Sequence, residues 1–451
     1  MASTVATNLN TLGRTTFIKN PSFKATPLNA YAKVLSKFCI IPSIEGPLKV
    51  VQQIEQQGAQ TVLETVGLKK KGYAVKSHTL VKHNLATGQT GQVTAQDVSD
   101  AEYLAPVTIG SPGQTMNLQF DSGSSDLWVF SSEMPADQQQ GVQSAGNSIF
   151  DPSKSSTFQR THGTWSITYG DGSGASGNCG TDNINIGGIT IKNQIIELAD
   201  TASSQFLSGS ESGLCGLAFP PLNTVKPTRA QTPMVNMISQ SDIPKDSELF
   251  TCYFSGQSGN SYFTTGYIDH DACGGATPAY SPVDSSQGFW EVKSETACIN
   301  GKAVSRSGNT AIVDTGTSLC LLEDSLLAAL YGALPGAKID HSVQGWVYPT
   351  DTPITSIPKL EIAVGSNYFT IEPEYFGFAD LGNGYTYGSC QSRGSNFPFD
   401  ILGDRFLCNI YAIFDQGKCQ FGAVQRTSSG ATTSGRPVDS GTESSTAQLV
   451  H

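Results

Sequence analysis

Residues 118–130 read LQFDSGSSDLWVF, and residues 311–322 repeat the same design as AIVDTGTSLCLL. In each stretch an apolar run leads into Asp-(Ser/Thr)-Gly-(Ser/Thr)-Ser, which places one carboxylate, Asp121 or Asp314, at the end of a predicted strand. Glycine at that point lets the backbone come close to whatever the carboxylate meets. A single turn of this kind is common, because Asp, Ser and Gly dominate turns. Two near-identical copies indicate an internal duplication whose halves bring their acids together.

A second landmark follows each acid at a similar distance along the chain. Leu-Cys-Gly at 214–216 follows Asp121, and Ile-Leu-Gly at 401–403 follows Asp314. The duplication therefore includes two paired landmarks in the same order.

Composition favours an all-β protein. The 451 residues are only 14% charged and include 47 glycines, which is typical of many short strands joined by turns. The net charge of −11 argues against nucleic-acid or anionic-membrane partners. The sequence holds no apolar run of 18 residues, so we expect no membrane span. The six histidines show no metal-binding spacing, and we expect no cofactor and no metal.

Residues 1–86 differ from the acidic remainder, because they carry an excess of Lys and Arg and contain Glu but no Asp. Helical spacing is present around Ala30–Lys37 and Leu48–Val66. One interpretation is a solvated basic arm. The other is an inhibitory segment attracted to an acidic cleft, with Lys37 as a plug between the two acids.

From residue 102 the pattern predicts short strands. Residues 103–109 and 116–120 read as a hairpin, residues 164–169 begin a second hairpin with a Gly-rich tip, and residues 213–219 read as a buried strand. Helices are predicted over 233–240 and 323–334, and strands around 354–364 and 368–371. Beyond Arg426 the tail is too polar to fold alone, so we predict disorder there.

The motifs resemble those of pepsin-type aspartic proteases, and within that family the fungal penicillopepsin- and aspergillopepsin-like branch. The resemblance covers roughly residues 100–425 and rests on seven ordered motifs: FDSGSSDLWV at 120–129, WSITYGDGS at 165–173, LCGLAF at 214–219, NTVKP at 223–227, DSSQGFW at 284–290, VDTGTS at 313–318 and ILGD at 401–404.

The resemblance implies an all-β, bilobal fold with a double Ψ-loop, a central cleft and a β-hairpin flap. It divides the chain into a prosegment-like basic arm (1–86), a first lobe (87–280), a second lobe (281–425) and a disordered tail (426–451). It also implies an aspartic endopeptidase that hydrolyses peptide bonds with a water activated between two aspartates, that works in acid and that is made as a zymogen. Peptide or protein substrates, inhibition by pepstatin-like compounds and a monomeric state follow from the same resemblance.

Matching the motifs assigns the family's site residues to positions in this chain. Asp121 and Asp314 are the implied catalytic pair. Around them, the resemblance assigns supporting, substrate-binding and flap roles to Ser122, Gly123, Ser124, Trp128, Tyr169, Gly170, Asp171, Thr315, Gly316 and Thr317. It also implies that Lys37, next to Phe38, is the prosegment lysine that lies between the aspartates.

Several of these residues keep a simpler interpretation. Asp121 and Asp314 are also acceptable as solvated turn residues, Tyr169 and Trp128 as core aromatics, and Asp171 as ordinary turn chemistry.

The chain also departs from the family. Relatives of this branch join two cysteines in the second lobe; Cys390 matches one, but Thr350 stands where its partner is expected. We expect mostly free thiols among the ten cysteines. The first residues lack the apolar core of a signal peptide, and Asn20-Pro21-Ser22 is disqualified as a glycosylation site by its proline. An alternative is therefore an intracellular protein of this type with a maturation or non-proteolytic role in a biosynthetic pathway, and the location stays open between secreted, vacuolar and cytoplasmic.

Overall fold

A computed structural model describes residues 14–16, 18–19, 26–52, 78–82, 103–168, 174–207, 209, 211–255, 261–427 and 431–438. Strands dominate these residues, as an all-β protein requires, and the helices are short. No helix in the described ranges is both long and apolar enough to cross a membrane.

The arm contributes β1 (Arg14–Thr16), β2 (Ile18–Lys19), α1 (Pro27–Lys37), β3 (Leu48–Gln52) and β4 (His78–Lys82). Helix α1 begins with Thr26, whose side chain accepts a hydrogen bond from the Asn29 N–H, and with Pro27 in its first turn. Tyr31, Val34 and Leu35 form its buried face. The helix predicted around Ala30–Lys37 is therefore present.

The helical expectation for Leu48–Val66 is wrong for its first residues. Residues 48–52 form strand β3, which pairs antiparallel with β4 from Leu48↔Lys82 to Gln52↔His78. The sequence there, LKVVQ, contains two adjacent β-branched valines that favour a strand once a partner is available. The rest of the predicted helix, 53–66, lies outside the described residues.

The first lobe is built on one sheet that curls on itself. Its strands run in the order β2-β5-β6-β11-β7-β10-β9-β8, and β5 also pairs with β9. The new elements are β5 (Tyr103–Ile109), β6 (Gln114–Asp121), β7 (Leu127–Phe130), α2 (Ala136–Ser144), β8 (Gln159–Thr168), β9 (Gly174–Ile186), β10 (Ile189–Ala202), α3 (Ser204–Leu207), β11 (Gly213–Gly216) and α4 (Pro233–Gln240). Both predicted hairpins and the helix over 233–240 are confirmed, whereas the buried strand predicted over 213–219 ends at Gly216.

A long sheet connects the first lobe to the second. Its order is β1-β13-β12-β28-β29-β14-β15-β18-β27-β19-β26, with β30 added to β29. The elements are β12 (Leu249–Tyr253), β13 (Tyr262–Thr265), α5 (His270–Cys273), β14 (Ala279–Asp284), β15 (Glu291–Lys293), β18 (Thr310–Val313), β19 (Cys320–Leu322), α6 (Asp324–Gly332), β26 (Cys390–Ser392), β27 (Asp400–Leu402), α7 (Asp404–Leu407), β28 (Ile410–Asp415), β29 (Gln420–Arg426) and β30 (Thr432–Thr433). Because β12 pairs with β28 from the end of the chain, and β13 pairs with β1 from its start, the two halves of the sequence share one sheet.

Two smaller sheets complete the second lobe, with orders β17-β16-β22-β23-β31 and β20-β21-β25-β24. Their strands are β16 (Thr296–Ile299), β17 (Lys302–Ser305), β20 (Lys338–Asp340), β21 (Gly345–Pro349), β22 (Leu360–Val364), β23 (Asn367–Ile371), β24 (Gly377–Asp380), β25 (Tyr385–Gly388) and β31 (Arg436–Pro437). Short 3₁₀ helices lie at Pro152–Lys154, Pro220–Leu222, Ile354–Ser356 and Pro373–Tyr375.

The strand predicted around 354–364 is correct only in its second part. Residues 354–356 form a 3₁₀ helix, and β22 begins at Leu360. Pro358 lies between them, and it has no N–H to donate to a strand ladder.

The tail differs from its prediction over residues 431–438. β30 pairs with β29, and β31 pairs with β23. The Arg436 guanidinium binds Glu361 through two contacts of 3.1 and 3.2 Å. The segment is too polar to fold alone, but it needs no core of its own because it adds strands to edges that already exist.

Candidate active site

Two matching strand arrangements place Asp121 and Asp314. β11 lies between β6, to which it is parallel, and β7, to which it is antiparallel, with Gly216 opposite Asp121. In the same way β27 lies between β18 and β19. The apolar-apolar-Gly landmarks of the sequence are these inserted strands.

Glycine is required in both inserted strands because backbone approaches it closely. A Cβ on Gly216 would come within 2.6 Å of the Ser125–Asp126 backbone, and one on Gly403 within 2.1 Å of the Thr317 carbonyl oxygen. The loops that carry the two acids therefore pack directly against the backbone of the inserted strands β11 and β27.

A reciprocal set of hydrogen bonds joins the two loops. The Ser122 N–H donates to Thr315 Oγ1 and the Thr315 N–H donates to Ser122 Oγ, each at 3.0 Å. The Ser122 hydroxyl then donates to the Val313 carbonyl, and the Thr315 hydroxyl to the Phe120 carbonyl. All four contacts are buried, so they fix the position of one loop relative to the other.

Each carboxylate is oriented by its own loop. Asp121 accepts hydrogen bonds from the Gly123 N–H at 2.8 Å and from the Ser124 hydroxyl at 2.6 Å. Asp314 accepts the equivalent bonds from the Gly316 N–H and the Thr317 hydroxyl. Both aspartates are almost fully buried.

Gly123 and Gly316 make room for the opposite acid. A Cβ on Gly123 would lie 2.5 Å from Asp314 Oδ1, and one on Gly316 would lie 2.3 Å from Asp121 Oδ1. Each glycine would also bring a side chain within 3 Å of Lys37 Nζ. Any larger residue at either position would separate the two carboxylates.

Lys37, the last residue of α1, reaches both acids. Its Nζ donates to Asp121 Oδ1 at 2.7 Å and to Asp314 Oδ1 and Oδ2 at 3.0 and 2.9 Å. Phe38 follows and packs against Phe289 and Phe397, with ring centroids 6.0 and 5.5 Å away. The arm thus places one ammonium between the aspartates and packs the next side chain, an aromatic ring, against the second lobe.

The pKa values of the two aspartates are shifted in opposite directions. Burial is the largest single influence and would raise the pKa of Asp121, but the Lys37 ammonium and the hydrogen bonds from Asp314, Lys37 and Ser124 together hold that pKa below its usual range. Burial raises the pKa of Asp314 to about 6, aided by the Asp121 charge and opposed by Lys37. Burial lowers the pKa of Lys37, yet the two carboxylates raise it overall. Of the two acids, Asp314 is therefore the one that takes up a proton first as pH falls.

The flap residues named by the sequence, Tyr169, Gly170 and Asp171, lie outside the described residues. Trp128, their neighbour by prediction, is buried and stacks on Trp165 at 5.9 Å. Its indole Nε1 has no hydrogen-bond partner within the described part of the chain. The flap roles that the resemblance implies for Tyr169, Gly170 and Asp171 stay predictions.

A second buried acid pair lies beside the first loop, and sequence reasoning missed it. The Asn223 amide donates to Asp126 Oδ1 at 2.9 Å and to Glu197 Oε1 at 3.0 Å. Burial raises the pKa of Asp126 to about 6, and burial together with the Asp126 charge raises the pKa of Glu197 well above its usual range. Asn223 is the first residue of the NTVKP motif. The Asn-Thr pair in an otherwise apolar region was the signal in the sequence that could have pointed to this buried cluster.

This pair makes the fold more stable in acid. Because both native pKa values are raised, the folded chain binds more protons than the unfolded chain between pH about 4 and above 6, and stability falls as pH rises through that window. We expect Glu197→Gln to reduce the loss of unfolding free energy between pH about 4 and about 7.5, measured by urea titration at the two pH values. Exposed Glu295→Gln is the control and should leave the loss unchanged. An equal loss in wild type and Glu197→Gln would contradict the assignment.

The cysteines are all free thiols in the structure. Cys390 lies directly opposite Cys320 in the β19–β26 register, and Thr350 instead bonds to the Thr386 hydroxyl at 3.0 Å. No cluster of three or more His, Cys, Asp or Glu side chains suited to a metal ion occurs within the described ranges.

Comparison with known proteins gives one consistent result. Residues 102–425 match the family model described as eukaryotic aspartyl protease. The chain is 36% identical to aspergillopepsin-1 of Aspergillus pseudoglaucus over 397 residues, covering 86% of this chain and 95% of that protein. It is 35% identical to penicillopepsin-3 of Penicillium janthinellum (77% and 84% covered) and 37% identical to endothiapepsin of Cryphonectria parasitica (73% and 77% covered).

Proposed function

Since this chain belongs to the eukaryotic aspartyl protease family and is an aspartic-type endopeptidase, we propose that Asp121 and Asp314 carry its reaction and that Lys37 keeps the full-length chain latent. The observation that supports both roles is the position of Lys37 Nζ, which lies within 3.0 Å of both carboxylates. An ammonium there occupies the place of the water that the two carboxylates would activate for attack on the peptide bond.

In the arm-free enzyme the pair would share one proton, the pattern long recognised in aspartic proteases. The ionised acid takes a proton from a water between the carboxylates, and the resulting hydroxide attacks the peptide carbonyl carbon. The protonated acid donates to the carbonyl oxygen, so the C=O bond becomes a C–O–H group of a tetrahedral intermediate. Proton transfer to the amide nitrogen then releases the two peptides.

The remaining site residues act by holding that geometry. The Ser124 and Thr317 hydroxyls bond to the outer carboxylate oxygens, and the Ser122–Thr315 contacts keep the two loops in register. Tyr169, Gly170 and Asp171 would close over an extended substrate, whose backbone pairs with the cleft. Large apolar side chains on either side of the scissile bond suit a cleft in which Phe38 packs on Phe289 and Phe397.

Acid releases the arm by titrating the contacts of Lys37. The pKa of Asp121 is lowered by Lys37, so the ion pair stabilises the arm above the usual aspartate range and that contribution is lost as pH falls through the lowered pKa. Below that point the arm loses its charged partners, and cleavage between the arm and the first lobe frees the enzyme.

The test is digestion of a denatured protein by purified full-length chain at about pH 3.5 and about pH 7, with and without pepstatin. We expect cleavage only in acid, inhibition by pepstatin, and loss of roughly the first 70 to 90 residues by mass spectrometry in the same samples. A folded chain that cleaves nothing and does not process itself at either pH would favour the alternative, a non-digestive role for this scaffold.

A further inference from the structure

The tail covers part of a sheet edge in the second lobe. Strand β23 pairs on one side with β22 and on the other with β31, the outermost strand of its sheet. Farther along the same outer edge, the Thr370 N–H donates to the Gln425 side chain at 2.6 Å, and the Thr370 carbonyl accepts from that amide at 3.2 Å. Residues 366–368 are therefore the part of the edge that depends on the tail for its partners.

The tail pairs with this edge in a register that suits its proline. Arg436 lies opposite Tyr368, and the Val438 N–H donates to the Ser366 carbonyl at 2.8 Å. Residues of an antiparallel ladder alternate between hydrogen-bonded and non-hydrogen-bonded positions, so Pro437, which lies between these two, occupies a position that needs no N–H. The edge therefore accepts proline at this point of a bound strand.

The Arg436 guanidinium is recognised by a carboxylate and by an aromatic ring. Its Nε and Nη2 donate to the two oxygens of Glu361 at 3.2 and 3.1 Å, and its central carbon lies 4.4 Å from the centre of the Tyr368 ring. Glu361 is only 3% exposed, whereas Lys359, which also bonds to it, extends into solvent. A two-point contact with a buried carboxylate, combined with stacking on a ring, suits arginine and not lysine.

Two further tail positions are selected by shape. Gly435 has φ +80°, and a Cβ there would lie 2.8 Å from the Tyr368 carbonyl oxygen. Any other residue would be strained and would collide with β23. Three residues later, Val438 packs on a small buried cluster of Cys298, Ala363 and Tyr368. The edge therefore fits glycine at the first position and an apolar side chain at the last.

We propose that Glu361, Tyr368 and the 366–368 edge of β23 form a second peptide-binding site, the arginine site, whose ligand is an extended segment of sequence Gly-Arg-Pro followed by an apolar residue. In the full-length chain the ligand is the chain's own tail, residues 435–438, which lies beyond the residues 102–425 that match the family model. The site binds a peptide and does not cleave it. A separate peptide of the same sequence takes the site when the tethered tail cannot compete.

The test uses the full-length chain and leaves the arginine site itself unchanged. Gly435→Val combined with Arg436→Met alters only the tail, and we expect this tail variant to release β31 from β23. Release is measured by hydrogen exchange and mass spectrometry of residues 366–371, which should exchange about 10-fold faster or more than in wild type. The probe is a fluorescent peptide of residues 432–439, TTSGRPVD, whose binding is followed by anisotropy at about pH 7, where a glutamate is ionised.

We expect the peptide to bind the tail variant at least about 10-fold more tightly than wild type, in which the tethered tail competes. A peptide with Lys in place of Arg should bind about 10-fold more weakly or less, because the two-point contact with Glu361 is lost. Adding Glu361→Gln to the tail variant should weaken the arginine peptide in the same way. Glu374→Gln, an exposed glutamate just beyond β23, is the matched control and should leave the affinity unchanged.

Equal affinities of the Arg and Lys peptides, or of the tail variant with and without Glu361→Gln, would overturn the arginine site. Unchanged exchange of residues 366–371 in the tail variant would overturn it as well, since the tail would then be held by other contacts. Wild-type dimers that are absent from the tail variant, seen by native mass spectrometry, would assign the site to the tail of a second copy and overturn its occupation by the chain's own tail. The measured quantities are binding and exchange, so the result does not depend on the proposed catalytic pair.

Discussion

Replacing either aspartate by asparagine is expected to abolish turnover while leaving the fold intact. Asp121→Asn or Asp314→Asn should lower kcat/KM by about four orders of magnitude or more, because an amide neither takes the proton of the attacking water nor shares one with its partner. Asparagine keeps the side-chain size, and its carbonyl oxygen still accepts the bonds from Ser124 or Thr317. The measurement is peptide hydrolysis at about pH 4 after removal of the arm by a separate protease, which avoids dependence on self-processing.

Asp126→Asn is the matched control for this result. Asp126 is equally buried and only five residues from Asp121, but it bonds to Asn223 and Thr224 and not to the site. Its variant should keep turnover within about tenfold of wild type. An asparagine variant of Asp121 or Asp314 that unfolds in the same urea range as wild type and hydrolyses peptide at the wild-type rate would refute the catalytic pair.

Removing the Lys37 ammonium is expected to weaken latency near neutral pH. In Lys37→Met the arm loses its contacts to two buried carboxylates, so the population of chains with the arm released at about pH 6 should rise on the order of 100-fold, equivalent to roughly 3 kcal/mol. The onset of self-processing should therefore move to higher pH. It is measured as the rate of loss of the full-length mass at a series of pH values.

Lys33→Met tests whether the effect belongs to this ammonium. Lys33 lies one turn earlier on the same helix and bonds to neutral Gln119 at 3.3 Å. Because Lys33 contributes none of the contacts that Lys37 makes to Asp121 and Asp314, the variant should process itself at a pH closer to that of wild type than Lys37→Met does. If Lys37→Met and Lys33→Met behave alike, the contacts of Lys37 to the two aspartates do not keep the arm in place.

The sequence was most informative about the two aspartate motifs, because each motif is continuous in the chain and the chain contains it twice. Asp121 and Asp314, their glycines and the hydroxyls that bond to them stand in two short motifs, and strand pairing brings the motifs together. The reciprocal bonds between Ser122 and Thr315 join the two motifs in the structure. Helix α1 and the Lys37 contact were also predictable, because the amphipathic spacing and the basic arm are continuous features of the chain.

The wrong predictions, for residues 48–52 and for the tail after Arg426, share a different cause. Leu48–Gln52 was interpreted as helix because its ladder partner, β4, lies some thirty residues away. The tail after Arg426 was predicted to be disordered because nothing in its composition shows that strands β29 and β23 have free edges for it. In both cases the local pattern was ambiguous, and a distant partner decided the structure.

By itself, the sequence determined the family, the all-β duplication and the two acids, since each depends on residues adjacent in the chain. Only the tertiary structure showed that Asn223 joins two buried acids and that Gln344 holds Ile44 and Leu48 across some three hundred residues. A glutamine on a polar turn looks like any surface residue. Its role arises because folding removes its amide from water and leaves the arm's backbone as its hydrogen-bonding partner.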